Sequence, residues 1–249
     1  MNFSGKTVVI TGASRGIGLG LAQAFARTGA TLVLVADDES VVNAARALGA
    51  IGLKAEITDM AAVHALFGDI PVVDVLINNA GIERPTPLDD ESPAAAALFT
   101  RIVSVNVIGT YLVTRAALPR MTAGGRIINT SSTWGRVGEP RFGAYVASKH
   151  AIIGLTKCWA KELGPRGICV NGVAPGWVRT ESSLRSLATM AQRADMTEQQ
   201  LLDRITAAQA LPGLMDPDDI TGVYLFLASR YAANVTGQTL GADRGEVPW

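Results

Sequence analysis

Short apolar, β-rich runs alternate with longer segments of helical period along the whole chain, and this rhythm restricts the fold more than any other property. Residues 6–10 form the first run, residues 16–28 the first helical segment and residues 31–35 the second run. Near-continuously apolar strands need cover on both faces, and strands separated by helices return parallel to one another. Further runs at 52–55, 72–77, 126–129, 168–173 and 238–241 bring the expected count to seven or eight, with helices expected at 40–48, 60–67, 94–119, 145–163 and 217–228. The expectation is an α/β protein, a doubly wound parallel sheet of about seven strands with helices on both faces. Residues 181–211 break the rhythm, being long, polar and Met/Gln-rich with helical patterning but no strand. Such a segment reads as a helical lid over a site. No Pro/Gly/Ser-rich linker or charge run divides the 249 residues, so one domain spanning 1–249 is expected.

The turn after the first strand carries the first chemical signal. Thr11-Gly12-Ala13-Ser14-Arg15-Gly16-Ile17-Gly18 leaves that strand directly and opens the first helix. Its glycines permit a tight turn and close backbone approach, which places a diphosphate against free amides at a helix N-terminus, as in the Rossmann type of fold. Gly12, Ser14, Arg15, Gly16, Ile17 and Gly18 are therefore expected to hold a dinucleotide. The spacing is G-x-x-x-G-x-G, and a glycine pattern alone could mark a simple strand-to-helix turn. The second strand ends before Asp37, Asp38 and Glu39. An acid here can accept hydrogen bonds from the adenosine ribose and would repel the extra phosphate of NADP, so NAD is favoured, with Asp37 as the candidate. Arg15, which could contact a 2′-phosphate, argues the other way, and a solvated helix start is the plain alternative for the acids.

Bulk properties exclude several classes. Lys+Arg and Asp+Glu each total 22, which leaves no broad basic field for nucleic acid or anionic lipid. Hydrophobic residues make up 48% and charged ones 18%, enough for a large core. Cys158 and Cys169 are too few for a disulfide framework. Residues 1–6 lack the charged start and cleavage site of a signal peptide, and no uninterrupted apolar run approaches membrane-spanning length. A soluble cytoplasmic protein is expected. His64 and His150 have no metal-ligand spacing, so no metal is expected.

Tyr145-Val146-Ala147-Ser148-Lys149 puts a phenol and an ammonium one turn apart on a helix. A nearby ammonium favours phenolate, which would make the tyrosine a usable acid/base. Y-x-x-x-K is common by chance, but Ser132 lies thirteen residues upstream, after the strand 126–129, where its hydroxyl could reach the same substrate oxygen.

With these residues the chain resembles the classical short-chain dehydrogenases/reductases. The glycine turn, Asn78-Asn79-Ala80-Gly81, Asn106, Ser132, Tyr145, Lys149 and Pro175-Gly176 followed by Thr180 run in that family's order, from about residue 3 to 243. The resemblance implies Tyr145 as general acid/base and Ser132 as the group orienting the substrate oxygen. Lys149 would lower the tyrosine pKa and hold the nicotinamide ribose, and Asn106 would support a proton-relaying water. It also implies cofactor contacts at Glu56, Ile57, Asn79, Ala80, Gly81, Tyr145, Lys149, Pro175, Gly176, Val178 and Thr180. Asn79 and Asn106 could instead be hydrogen-bonded core amides. Two departures stand out: Glu56 where the family has Asp, and Asp243-Arg244-Gly245 where many members have Asp-Gly-Gly.

The long lid and Pro175-Gly176-Trp177-Val178 are similar to the D-3-hydroxybutyrate dehydrogenase branch, but its carboxylate-binding Gln, His and Lys correspond here to Glu83, Trp134 and Phe142. Glu83, Ser132, Trp134, Phe142 and Trp177 are therefore expected as substrate walls. They suit a neutral secondary alcohol, a polyol, sugar or aryl carbinol, better than an acid, although the tryptophans could serve packing instead. The rival readings are an NADPH-dependent ketoacyl reductase, a hydroxy-acid dehydrogenase and a non-catalytic dinucleotide-binding protein. By resemblance, a homo-oligomer, dimer or tetramer, is expected.

Overall fold

A computed structural model of the chain describes residues 1–248. Seven parallel strands form one sheet in the order β3-β2-β1-β4-β5-β6-β7. They are β1 Thr7–Thr11, β2 Thr31–Ala36, β3 Ile51–Lys54, β4 Val75–Asn78, β5 Arg126–Thr130, β6 Cys169–Pro175 and β7 Thr239–Ala242. The doubly wound α/β architecture is thus as the sequence rhythm requires.

Helices alternate with these strands: α1 Gly16–Ala26, α2 Ser40–Ala47, α3 Met60–Leu66, α4 Pro93–Val103, α5 Thr110–Ala117, α6 Gly143–Leu163, α7 Glu181–Arg193, α8 Glu198–Ala207 and α9 Pro217–Ala228. One face of the sheet is covered by α1, α2 and α9, through residues such as Leu21, Phe25, Val41, Tyr224 and Leu227. The other is covered by α3, α5 and α6, through Val63, Val113, Ala117, Trp159 and Leu163. The central strands are buried along almost their whole lengths, which explains their unbroken apolar runs.

One difference from the sequence expectation bears on function. The helix expected at 94–119 contains a π-helical segment, Ser104–Gly109, between α4 and α5. Such a segment widens the helix locally and often marks a functional site; here it carries Asn106. The same continuous helix, Pro93–Arg120, has a mean hydropathy of 1.5 over its best window and is long enough to cross a membrane by composition. The expectation concerned uninterrupted apolar runs, and in that form it stands: Thr100, Arg101 and Asn106 interrupt the apolar letters of this helix without lowering the average much. In the fold this helix packs against α6 and β4.

The segment expected to act as a lid folds into α7 and α8. Each is started by a capping box, Thr180 with Ser183 and Thr197 with Gln200, which satisfies otherwise orphaned amides. The strand order reverses between β1 and β4, so a crevice opens at their carboxyl ends.

Candidate active site

That crevice is a cavity of about 460 Å³, and the glycine turn forms one end of it. Gly12 has φ +66° and Gly16 φ +56°, conformations that favour glycine. A Cβ at Gly12 would lie 2.7 Å from Ala80 Cα, so the two lips of the crevice meet backbone to backbone. Asn79 holds them together: its Nδ2 donates to Thr11 O at 3.2 Å and Gly12 O at 3.1 Å, while Thr11 Oγ1 accepts from the Asn79 and Ala80 amides. Helix α1 begins after Arg15 with no side-chain cap and no acid in its first turn. Its free amides and positive dipole end, together with the glycine backbone, fit a diphosphate. Gly12, Ser14, Arg15, Gly16 and Ile17 line the cavity. Gly18 does not; a Cβ there would collide with Gly12 O, so it serves close helix packing.

Asp37 lines the cavity as well, but its neighbour Asp38 makes the polar contacts. Ser14 Oγ donates to Asp38 at 2.9 Å and Arg15 at 3.0 Å. The Ser40 hydroxyl, and then Ser14 and Arg15, hold the Asp38 carboxyl below its ordinary range despite some desolvation. Glu56 is paired with Arg101 and accepts from the Thr58 amide at 3.1 Å.

At the other end of the cavity, Tyr145 and Lys149 project from α6. Lys149 is buried, its Nζ donates to Thr130 O at 2.8 Å, and it lies 5.5 Å from the Tyr145 ring centroid. Burial lowers its pKa to about 8, with Glu83 opposing. The Tyr145 phenol is pushed up, first by desolvation and then by the Glu83 carboxylate, while a hydrogen bond with Ser132 pulls it down. Lys149, 5.5 Å from the ring centroid, is not among the groups that move the phenol, so the lowering expected of it does not appear in the chain by itself. Ser132 begins a short turn and accepts from the Trp134 amide at 3.1 Å.

Asn106 is buried and fully engaged. Its Nδ2 donates to Ile82 O at 3.0 Å and Ser148 Oγ at 2.9 Å, and its Oδ1 accepts from the Ile82 amide at 2.7 Å. It ties the β4 loop to α6 from behind the cavity wall rather than lining it. A Cβ at Gly81 would come 3.2 Å from Asn106 Oδ1 and 3.5 Å from Lys149 Nζ, so the bare backbone there brings the cavity up to both. Ile57, Ala80, Pro175, Gly176, Val178 and Thr180 complete the lining expected of a cofactor site.

The expected substrate walls divide. Glu83 lines the cavity, accepts from Ser182 Oγ of the lid at 3.3 Å, and is raised by desolvation above the usual carboxylate range, with Ser186 and Ser182 opposing. Trp134, Phe142 and Trp177 lie outside the lining. Their rings pack together, tilted for Trp134 and Phe142 with centroids 4.9 Å apart and edge-to-face for Trp134 and Trp177 at 6.0 Å, against Leu187 and Leu201 of the lid. Phe142 is wholly enclosed. Trp134 also meets the Tyr145 ring edge-on at 6.0 Å, so this block buttresses Tyr145 and the lid. Distance along the chain from Tyr145 could not reveal which way these rings turn.

Sequence reasoning passed over Arg84, Arg101 and Arg185, which line the cavity, and the contacts of Arg244. Arg244 has φ +55°, its NH1 donates to Pro212 O at 2.6 Å and its carbonyl accepts from the Leu211 amide at 2.9 Å, fastening the chain that leaves the lid. An arginine at a position where family members carry glycine was the available signal.

Known proteins resemble the chain over nearly its whole length. The model of the family described as enoyl-(acyl carrier protein) reductase matches residues 12–246. The chain is 33% identical to the D-beta-hydroxybutyrate dehydrogenase of Cupriavidus necator over 98% of each protein. It is 34% identical to the gluconate 5-dehydrogenase of Gluconobacter oxydans, over 98% of this chain and 95% of that one. Among solved structures, a point variant of the actinorhodin polyketide ketoreductase with NADPH superposes over 100% of both chains with a TM-score of 0.91 at 28% identity.

Proposed function

Since the chain belongs to the short-chain dehydrogenase/reductase family of oxidoreductases acting on CH–OH groups, we propose that it interconverts a neutral, hydroxyl-rich secondary alcohol and its ketone with NAD. The observation that carries this reading is the meeting of Tyr145, Ser132, Lys149 and Glu83 in one cavity with the uncapped start of α1. NAD bound there would supply the hydride acceptor and, in its oxidised form, a positive charge that favours the Tyr145 phenolate. Tyr145 Oη then takes the alcohol proton as the carbinol carbon loses hydride, and Ser132 Oγ holds the same oxygen in place. Lys149, fixed by Thr130 O, faces the gap beneath Gly81 where a ribose hydroxyl would be held. Asn106 positions Ile82 and Ser148 around Tyr145.

Two features support the finer points. Glu83 offers a carboxylate acceptor to substrate hydroxyls and repels acids, and the aromatic block lies behind the wall, which favours a polyol or sugar over an aryl carbinol. NAD is favoured because a 2′-phosphate would meet Asp37 and Asp38, while Arg15 is already paired with Asp38. Asp38→Asn should release Arg15 and raise the NADP-to-NAD ratio of kcat/KM about tenfold or more, an ion pair to phosphate being worth ~1.5–3 kcal/mol; an unchanged ratio would remove this argument. Exposed Phe99, Ile108 and Tyr111 on the Pro93–Arg120 helix support a homo-oligomer, and the family's soluble relatives support a cytoplasmic location.

An NADPH-dependent ketoreductase is the competing reading, favoured by Arg15 and by the likeness to the actinorhodin ketoreductase. Turnover across polyols, aryl carbinols, hydroxy acids and ketoacyl thioesters with both cofactors separates the two. The expected result is the highest kcat/KM for a polyol with NAD; preference for a small hydroxy acid would sink the neutral-substrate reading.

A further inference from the structure

Four arginines line the cavity, and three of them are already matched by a carboxylate. Arg101 is paired with Glu56, Arg15 with Asp38 at 3.0 Å, and Arg185 with Glu181 at 3.5 Å. Arg84, in the loop after β4, makes no ion pair within 4 Å among the described residues. It is half-buried, and its one side-chain hydrogen bond among the described residues runs from NH1 to the Glu83 carbonyl at 2.7 Å. Desolvation, and then repulsion from Arg185 and Arg15, make this cation costly to hold there, with Glu83 and Glu181 compensating in part. A planar guanidinium with most of its donors uncommitted, partly desolvated in a cavity, is suited to a bidentate oxyanion partner.

Arg84 shares one cavity lining with Gly12, Ser14 and Gly16 of the glycine turn. Glu181, in the same lining, spans the two ends, 3.8 Å from Arg15 and 3.5 Å from Arg185. Beside the glycine turn the first-turn amides of α1 lack a capping side chain, and they supply hydrogen bonds and only a partial charge. The turn's own Arg15 is committed to Asp38 and so supplies little net charge.

We propose that Arg84 is the counter-charge for the diphosphate of the bound dinucleotide, with Arg185 of the lid as a second, weaker arm. This rests on the dinucleotide site proposed above. The Arg185 contact with Glu181 is exposed and long, so exchanging it for a phosphate oxygen costs little. Binding at the diphosphate would thereby draw α7 toward the glycine turn.

Equilibrium binding of ADP-ribose, which carries the diphosphate but no nicotinamide, tests this without turnover. Arg84→Gln should weaken ADP-ribose by about tenfold and flatten the salt dependence of its binding, Arg84→Lys should keep most of the affinity, and Arg185→Gln should weaken it by about threefold. Neither Gln variant should change the melting temperature appreciably. If an anionic substrate were the true partner, ADP-ribose would bind Arg84→Gln as tightly as the wild type while binding of 3-hydroxybutyrate fell, and the proposal would be overturned. Equal loss in the Gln and Lys variants would also overturn it. Tight, Arg84-dependent ADP-ribose binding without alcohol oxidation would leave the clamp standing and refute the catalytic reading, whereas no ADP-ribose binding at all would contradict both.

Discussion

The glycine-turn end of the cavity is made largely of backbone, and the lid end largely of side chains. At the first, Gly12, Gly16 and Gly81 bring main chain within contact of Ala80, Thr180, Asn106 and Lys149. At the second, Glu83, Ser182 and Ser186 meet through hydroxyl and carboxylate groups, with an aromatic block behind them. A backbone site tolerates almost no substitution and takes a ligand common to many proteins. A side-chain site can be rebuilt residue by residue, and there the identity of the substrate is decided.

Substitutions at the two ends should differ accordingly. Gly12→Ala places a methyl 2.7 Å from Ala80 Cα at φ +66°, so it should cost at least ~2 kcal/mol of stability and abolish measurable ADP-ribose binding. Retention of wild-type binding would show that this end is more plastic than described. Glu83→Gln, by contrast, should leave folding and ADP-ribose affinity intact while shifting the hydroxy-acid-to-polyol ratio of kcat/KM by about 10- to 100-fold toward the acid, since one buried charge is exchanged for an amide. A ratio that stays fixed would mean that another residue selects the substrate.

The smallest effect concerns the wall behind Gly176. Glu246 Oε2 is buried with no hydrogen-bond partner among the described residues and lies 3.0 Å from where a Gly176 Cβ would be. Desolvation, then Asp243 and Glu139, raise its pKa from 4.5 to about 7. The folded state thus holds this proton more tightly than the unfolded chain. Stability is fully present below about pH 4.5 and is lost as pH rises through about 7. Glu246→Gln should flatten that part of the melting-temperature profile, by the order of 1 kcal/mol because the group is only partly buried. An identical slope in the variant would show that other groups set it.

Legibility follows the same division. The turn from Thr11 to Gly18 could be read because only certain residue types permit its geometry, and the apolar strands because burial on both faces leaves few polar positions. That Tyr145, Ser132 and Lys149 meet in one cavity could be read because the chemistry proposed for them needs all three together. The aromatic walls could not. Trp134 and Phe142 stand at the right separations from Ser132 and Tyr145, yet ring direction depends on the short turn at Thr133–Gly135 and on Leu187 and Leu201 from a distant segment. Arg84 gave no signal either, since its meaning depends on which neighbouring arginines already have partners. Nor did composition separate a sheet-covering helix from a membrane-length one at Pro93–Arg120.

The central claim is that Tyr145 takes the proton as hydride leaves the alcohol. Steady-state production of reduced nicotinamide from NAD and the best polyol, measured for the wild type and Tyr145→Phe, tests it most directly. The expected result is a fall in kcat of about 10²- to 10⁴-fold with ADP-ribose affinity unchanged. Turnover by the phenylalanine variant equal to that of the wild type would contradict the account.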